Sequence, residues 1–175
     1  MPDLLPCPPP ADVLPAMLAL PGVAVAPTML ASQQGSDGHL GPEAAGAILM
    51  LQATFNDPDK AHDFWVVAAR VMALLAEAPG FIRRYNFADG VHMTLIAFWR
   101  TVDDAKVFAA RPEHRDAVRE LFRNRWQYSH FAALWEMTSN HGRLIFCDEC
   151  TGITAANEGV CRNCGAKLID AYAVA

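Results

Sequence analysis

The chain is predicted to be an α+β protein: a ferredoxin-like βαββαβ sheet followed by a small cysteine-bearing ribbon. Three observations lead there. Residues 47–139 read as strand–helix–strand–strand–helix–strand from their apolar periodicity. Two CxxC pairs stand ten residues apart near the C-terminal end. The chain has 175 residues, 53% of them hydrophobic and 19% charged, enough for one ordinary domain with an appendage.

Residues 1–46 are rich in Pro, Gly, Ala and Ser, which predicts an extended arm with one short strand over 23–30. Cys7-Pro8 lies in this arm, and a lone dipeptide in a proline-rich run carries little information. The opening MPDLLPCPPPADVLP has no basic start and is broken by prolines, so a secretory signal is not expected. No apolar run reaches the ~18–20 residues that span a bilayer. The expected setting is therefore the reducing cytoplasm, with no membrane partner.

The second segment, 47–140, is the predicted domain. AILMLQATF is a strand apolar on both faces, with Ile48, Met50, Gln52 and Thr54 pointing one way. Asn56-Asp57-Pro58-Asp59 supplies a turn and a cap for a helix to about residue 78, where Pro79-Gly80 stops it. Ala61, Phe64, Ala68, Val71 and Leu75 form its apolar stripe. FIRRYNF and VHMTLIAFW are two strands of a hairpin turning at Ala88-Asp89-Gly90. Thr101 caps a short helix over 102–110, Pro112 opens another to about 126, and a last strand starts at His130. Such a sheet carries helices on one face only. Its other face is expected to be apolar through Met93, Leu95, Ala97 and Trp99, and to be covered by a homodimer that closes two sheets into a dimeric α+β barrel.

The third segment, 141–175, holds Cys147, Cys150, Cys161 and Cys164. Each CxxC makes a tight knuckle, and two knuckles complete a tetrahedral four-sulfur shell, which predicts a zinc ribbon. Iron in a similar shell is the main rival. Gly165 directly after Cys164 suits the sharp turn of a knuckle, whereas Gly152 comes one position later after the first pair. Four thiolates leave no open coordination position, so the expected role is structural. From Arg143 onward three basic residues face four acidic ones, and the whole chain carries a net charge of −5. Neither balance favours nucleic acid.

Residues 47–139 resemble the antibiotic-biosynthesis-monooxygenase-like family of dimeric α+β barrels. The resemblance is carried by Pro79-Gly80-Phe81, Phe98-Trp99, Asp103-Asp104-Ala105 and Pro112-Glu113-His114-Arg115. It covers about half the chain, and its motifs speak more to fold than to chemistry. Relatives include cofactor-independent quinone-forming monooxygenases, haem-degrading monooxygenases and small proteins of unassigned role. The haem-degrading branch uses an Asn on the first strand, a Trp ending the third and an axial His on the last helix. Gln52, Trp99 and His114 stand near those places, with Gln replacing Asn and His114 aligning only after a gap. In the cofactor-independent branch, Gln52, Trp99, Tyr85 and Arg83 would hold an acidic phenol. Helical spacing independently turns His114 inward with Val118 and Leu121, as a base, an axial ligand or a hydrogen-bonded core residue.

Three functions follow as expectations. The first is a monooxygenase-like oxidoreductase acting on a small, largely apolar secondary metabolite; no nucleotide-binding fingerprint is present, so neither flavin nor nicotinamide is expected. The second is a haem-binding or haem-dependent enzyme, with His114 or His130 on iron. The third is a non-catalytic module that binds a partner through ribbon and arm.

Overall fold

The computed structural model describes residues 28–169. Most of the predicted arm, Cys7-Pro8 included, lies outside the described residues. Strand β1 (Thr28–Gln34) is followed by β2 (Ala47–Phe55), helix α1 (Pro58–Ala76), β3 (Phe81–Asp89) and β4 (His92–Trp99). Helices α2 (Val102–Ala109) and α3 (Pro112–Asn124) precede β5 (Gln127–Glu136). Two short strands, β6 (Leu144–Phe146) and β7 (Ile153–Ala155), form a separate hairpin.

Local chemistry explains the boundaries. Asp57 caps α1 by accepting the Lys60 N–H at 2.8 Å, and Pro58 fills the first helical position, where no donor is needed. Thr101 caps α2 the same way, accepting from the Asp104 N–H at 3.0 Å. Gly80, at φ +76°, turns the chain from α1 into β3. A Cβ there would also run into the Asp104 side chain, so the left-handed backbone and the close neighbour both favour glycine. The β3–β4 hairpin closes on Gly90, at φ +56°, and Val91.

The sheet runs β1-β3-β4-β2-β5 and every pairing is antiparallel. The strand expected at 23–30 overlaps β1, which bonds to β3 as a fifth, edge strand; residues 23–27 lie outside the described residues. The last strand begins three residues earlier than predicted, at Gln127. Among the described residues no helix is long and apolar enough to cross a membrane.

Register decides which residues face the helices. Ala47 pairs with Trp99, Leu49 with Ala97, Leu51 with Leu95 and Ala53 with Met93. These are the residues that pack under α1 and α2, with Trp99 between Phe81 and Phe108 and beside Leu75. The expectation that Met93, Leu95, Ala97 and Trp99 form the uncovered face is therefore corrected. The aromatic ring of Trp99 finds its partners on the helix side. The opposite face, over which none of the described helices lies, carries Ile48, Met50, Ile96 and Phe98 instead, joined by Phe131 and Trp135, which are 48% and 46% exposed. The inference that both faces are apolar stands on different residues.

The ribbon is anchored at its base. The Arg143 guanidinium donates to the Glu43 carboxylate at 3.1 Å, and the Asn140 amide donates to the Glu43 carbonyl at 3.1 Å.

Candidate functional site

A cavity of about 460 Å³ lies between the helix-covered sheet face and the three helices. Leu49, Leu51, Leu95 and Ala97 form its floor, with Val71 and Leu75 of α1, Phe108 of α2 and Leu121 of α3 above them. Its exposed lining residues, Lys106 and Ala109 on α2, Val118 and Phe122 on α3 and His130 and Ala132 on β5, set the mouth along these two helices and the edge strand.

His114 opens onto this cavity from the first turn of α3. Its Nδ1 lies 3.2 Å from the Ala109 carbonyl, and its ring meets the Phe108 edge with centroids 5.4 Å apart. A carbonyl accepts only, so Nδ1 carries the proton and the lone pair sits on Nε2. Burial pushes the pKa of His114 below its usual 6.5, opposed by that hydrogen bond. The imidazole is thus neutral at pH 7. His130 at the mouth is also held low by burial; its Nδ1 contacts Gln127 Oε1 at 2.8 Å and its ring packs on Phe122.

Phe81, Trp99, Phe108 and His114 make a continuous row of ring contacts, with centroids 5.2, 5.6 and 5.4 Å apart. The structure therefore brings Trp99 and His114 to one cavity. It does not bring the other three predicted pocket residues there. Gln52 pairs with Thr94 and Phe131 on the uncovered face, and its amide donates to Thr94 Oγ1 at 3.4 Å. In an antiparallel register that opposes Ala47 to Trp99, even-numbered β2 residues and Trp99 cannot share a face. Arg83 and Tyr85 also lie on the uncovered face, opposite Phe98 and Ile96.

Their neighbours take the inward positions. Arg84 and Asn86 are 4% and 1% exposed and line the cavity. Arg84 Nε donates to Gln33 Oε1 at 2.6 Å, and its two terminal nitrogens donate to Asn86 Oδ1 and Met72 Sδ. Gln33 is itself fixed, its amide donating to the Met72 carbonyl at 2.7 Å. The signal that could have identified this pair is the β-bulge between Phe81 and Arg83, which inverts the alternation that Phe81 begins.

The four predicted cysteines converge. Their sulfur atoms all lie within 4.8 Å of one another, with Cys147–Cys164 and Cys150–Cys161 at 3.6 Å. A tetrahedral shell with Zn–S bonds near 2.3 Å separates its sulfurs by about 3.8 Å, so the cluster fits a metal such as zinc. Backbone N–H groups of Cys164 and Asn163 point at Cys161 Sγ and bring its pKa down to about 6, which favours the thiolate that a metal needs. Each knuckle ends on a left-handed residue: Gly165 at φ +76°, as expected, and Thr151 at φ +58° rather than Gly152.

No family model matches the sequence, and no curated protein does. Solved structures match the fold. A candidate monooxygenase of Fusobacterium nucleatum superposes with a TM-score of 0.53 at 7% identity, over 63% of this chain and 50% of that one. A ferredoxin-fold protein of Listeria monocytogenes related to antibiotic biosynthesis monooxygenases gives 0.49 at 14%, over 65% of each chain. SnoaB, a cofactor-independent oxygenase of Streptomyces nogalater, gives 0.45 at 21%, over 55% of this chain and 97% of that one. The chain spans about half the length of the Fusobacterium protein. At these identities the likeness is one of fold alone: an antiparallel α+β sheet shared with the Fusobacterium protein, followed here by a two-stranded hairpin with four clustered cysteines.

Proposed function

We propose that this chain is a monooxygenase-like oxidoreductase that oxidises a small, largely apolar molecule in the cavity, without flavin or nicotinamide. The observation that carries the reading is a ligand-sized apolar cavity walled by a neutral His114 whose Nε2 lone pair is unspent. In this reading Nε2 removes a proton from an acidic substrate C–H or O–H. The resulting carbanion or phenolate reacts with molecular oxygen. One oxygen atom stays on carbon as a carbonyl and the other leaves as water, all electrons coming from the substrate. Trp99 and Phe108 hold the substrate's flat face and exclude water.

A second reading keeps the same cavity for haem. Neutral His114 would hold the iron through Nε2, and bound haem would supply oxygen activation. We assign the four cysteines to a structural zinc, because a closed sulfur shell offers no site to a substrate. We further propose that the uncovered sheet face pairs with a second copy of the chain. Ile48, Met50, Ile96, Phe98, Phe131 and Trp135 would meet across that interface.

Oxygen uptake with a panel of anthrones and hydroxylated naphthalenes tests the first reading. Quinone absorbance should rise with uptake, and His114→Ala should slow both by about 10²–10⁴-fold. Absence of uptake across the panel, together with a Soret band that forms on adding hemin and vanishes in His114→Ala, would transfer the cavity to haem. A flat response in both assays would leave neither enzyme reading standing.

A further inference from the structure

The cavity wall collects polar side chains whose donors outnumber their partners. Arg84, Asn86 and Trp99 are 4%, 1% and 2% exposed, and all three line the cavity. Arg84 and Asn86 are successive inward positions on β3. Trp99 follows two residues after Ala97, the cross-strand neighbour of Arg84, so the three share one continuous patch.

A guanidinium has five N–H donors, and Arg84 directs three of them at Gln33, Asn86 and Met72. Among the described residues no carboxylate pairs with it. Asn86 Oδ1 is taken by Arg84, while Asn86 Nδ2 and Trp99 Nε1 have no acceptor among the described residues. Burying a cation without a counter-ion is unfavourable, and so is burying an amide or indole N–H without an acceptor. This patch does all of these, beside a cavity whose remaining walls are mostly apolar, with His114, His130 and the exposed Lys106 as their polar members. What the patch lacks is an acceptor bearing negative charge.

We infer that Arg84 and Asn86 form an anion-recognising end of the cavity. Its ligand is a small apolar molecule carrying a carboxylate. The charged oxygen sits on the unused N–H groups of Arg84 and the Asn86 amide, with the Trp99 indole N–H available to a second acceptor. This deepens the reading of the cavity as a small-molecule site and rests on it. Direction follows from topology. The β5 side of the mouth lies three strands from β3, about 14 Å at ~4.8 Å per strand. A ligand entering past β5 would lead with its charged end and span the sheet, its apolar body on Leu95, Ala97 and Leu51.

A matched ligand pair tests this on the full-length chain. Naphthalene-2-carboxylate and its neutral carboxamide differ in charge and hardly in shape. Titration at pH 7.5, followed by calorimetry, should give at least tenfold tighter binding of the carboxylate. In Arg84→Met that preference should collapse to within twofold, while the carboxamide binds as before. Arg84→Lys should keep part of the preference. Equal binding of the two by the unaltered chain, or tighter binding of the carboxamide, would overturn the anion assignment and leave the cavity reading in place. Binding of neither ligand at millimolar concentration would overturn both. The comparison on the unaltered chain decides even if Arg84→Met fails to fold.

Discussion

The row of rings from Phe81 to His114 makes Phe108 the packing link between the sheet and the candidate base, so removing it has a calculable cost. Phe108 is 7% exposed and sits with Leu75, Trp99 and Ala105 in the larger core cluster. Phe→Ala in a filled core costs about 3–5 kcal/mol. One side of this ring faces the existing cavity rather than packed atoms, so fewer contacts are lost and the lower end applies. We expect Phe108→Ala to destabilise the sheet domain by about 3 kcal/mol. At this chain length that lowers the melting temperature by about 6–12 °C. Urea unfolding is the assay, with the midpoint moving and the slope unchanged. The same variant should also weaken ligand binding, because His114 then keeps only its hydrogen bond to Ala109. A loss below about 1 kcal/mol at unchanged slope would refute the packing described for this ring.

Three further outcomes are expected. Thr151→Gly relieves a left-handed β-branched residue, a gain of about 1–2 kcal/mol offset by about 0.5–1 from added chain entropy; metal retention against a chelator should improve up to several-fold, and weaker retention would contradict the strain. His114 is held below 6.5 in the fold, so the unfolded chain binds more protons between that lowered value and 6.5. Stability should accordingly fall as pH drops through this window, and His114→Gln should flatten part of the slope, with His130 keeping its own share; an unaltered slope would count against the burial of His114. Stripping the metal should make four thiols titratable and melt the ribbon, whose small core beyond its cysteines is Leu168, Ile145 and Ala166, while the sheet retains its own unfolding transition. A collapse of both together would show that the ribbon braces the sheet domain.

The order of elements and the cysteine cluster were legible because each rests on a local pattern. Asp57-Pro58, Pro79-Gly80, Thr101 and Pro112 mark boundaries by backbone chemistry that acts within four residues. The CxxC pairs state their own spacing. The faces of the sheet were not legible in the same way. On β2 and β4 both alternate sets are apolar, Leu49 and Leu51 against Ile48 and Met50, so periodicity offers no arrow. Only the pairing of Ala47 with Trp99 orients them, and that is a long-range fact. Gln52 misled for this reason: a polar residue in an apolar strand looks like a buried site, yet it lies exposed beside Thr94 on the other face.

The same ambiguity on β3 has a sharper consequence. Strict alternation from Phe81 would send Arg83 and Tyr85 to the helix side and leave Arg84 and Asn86 outside. Hydrophobicity alone favours that choice, since Tyr85 is more apolar than Asn86 and each parity buries one arginine. The bulge at Ile82 selects the opposite parity, with Phe81 and Ile82 both fully buried around it. The fold thus keeps an arginine and an asparagine under the helices where a tyrosine would pack more favourably. Neither residue adds apolar burial, and Asn86 leaves its own amide without an acceptor among the described residues. A ligand that accepts those hydrogen bonds gives this parity a physical reason that packing does not.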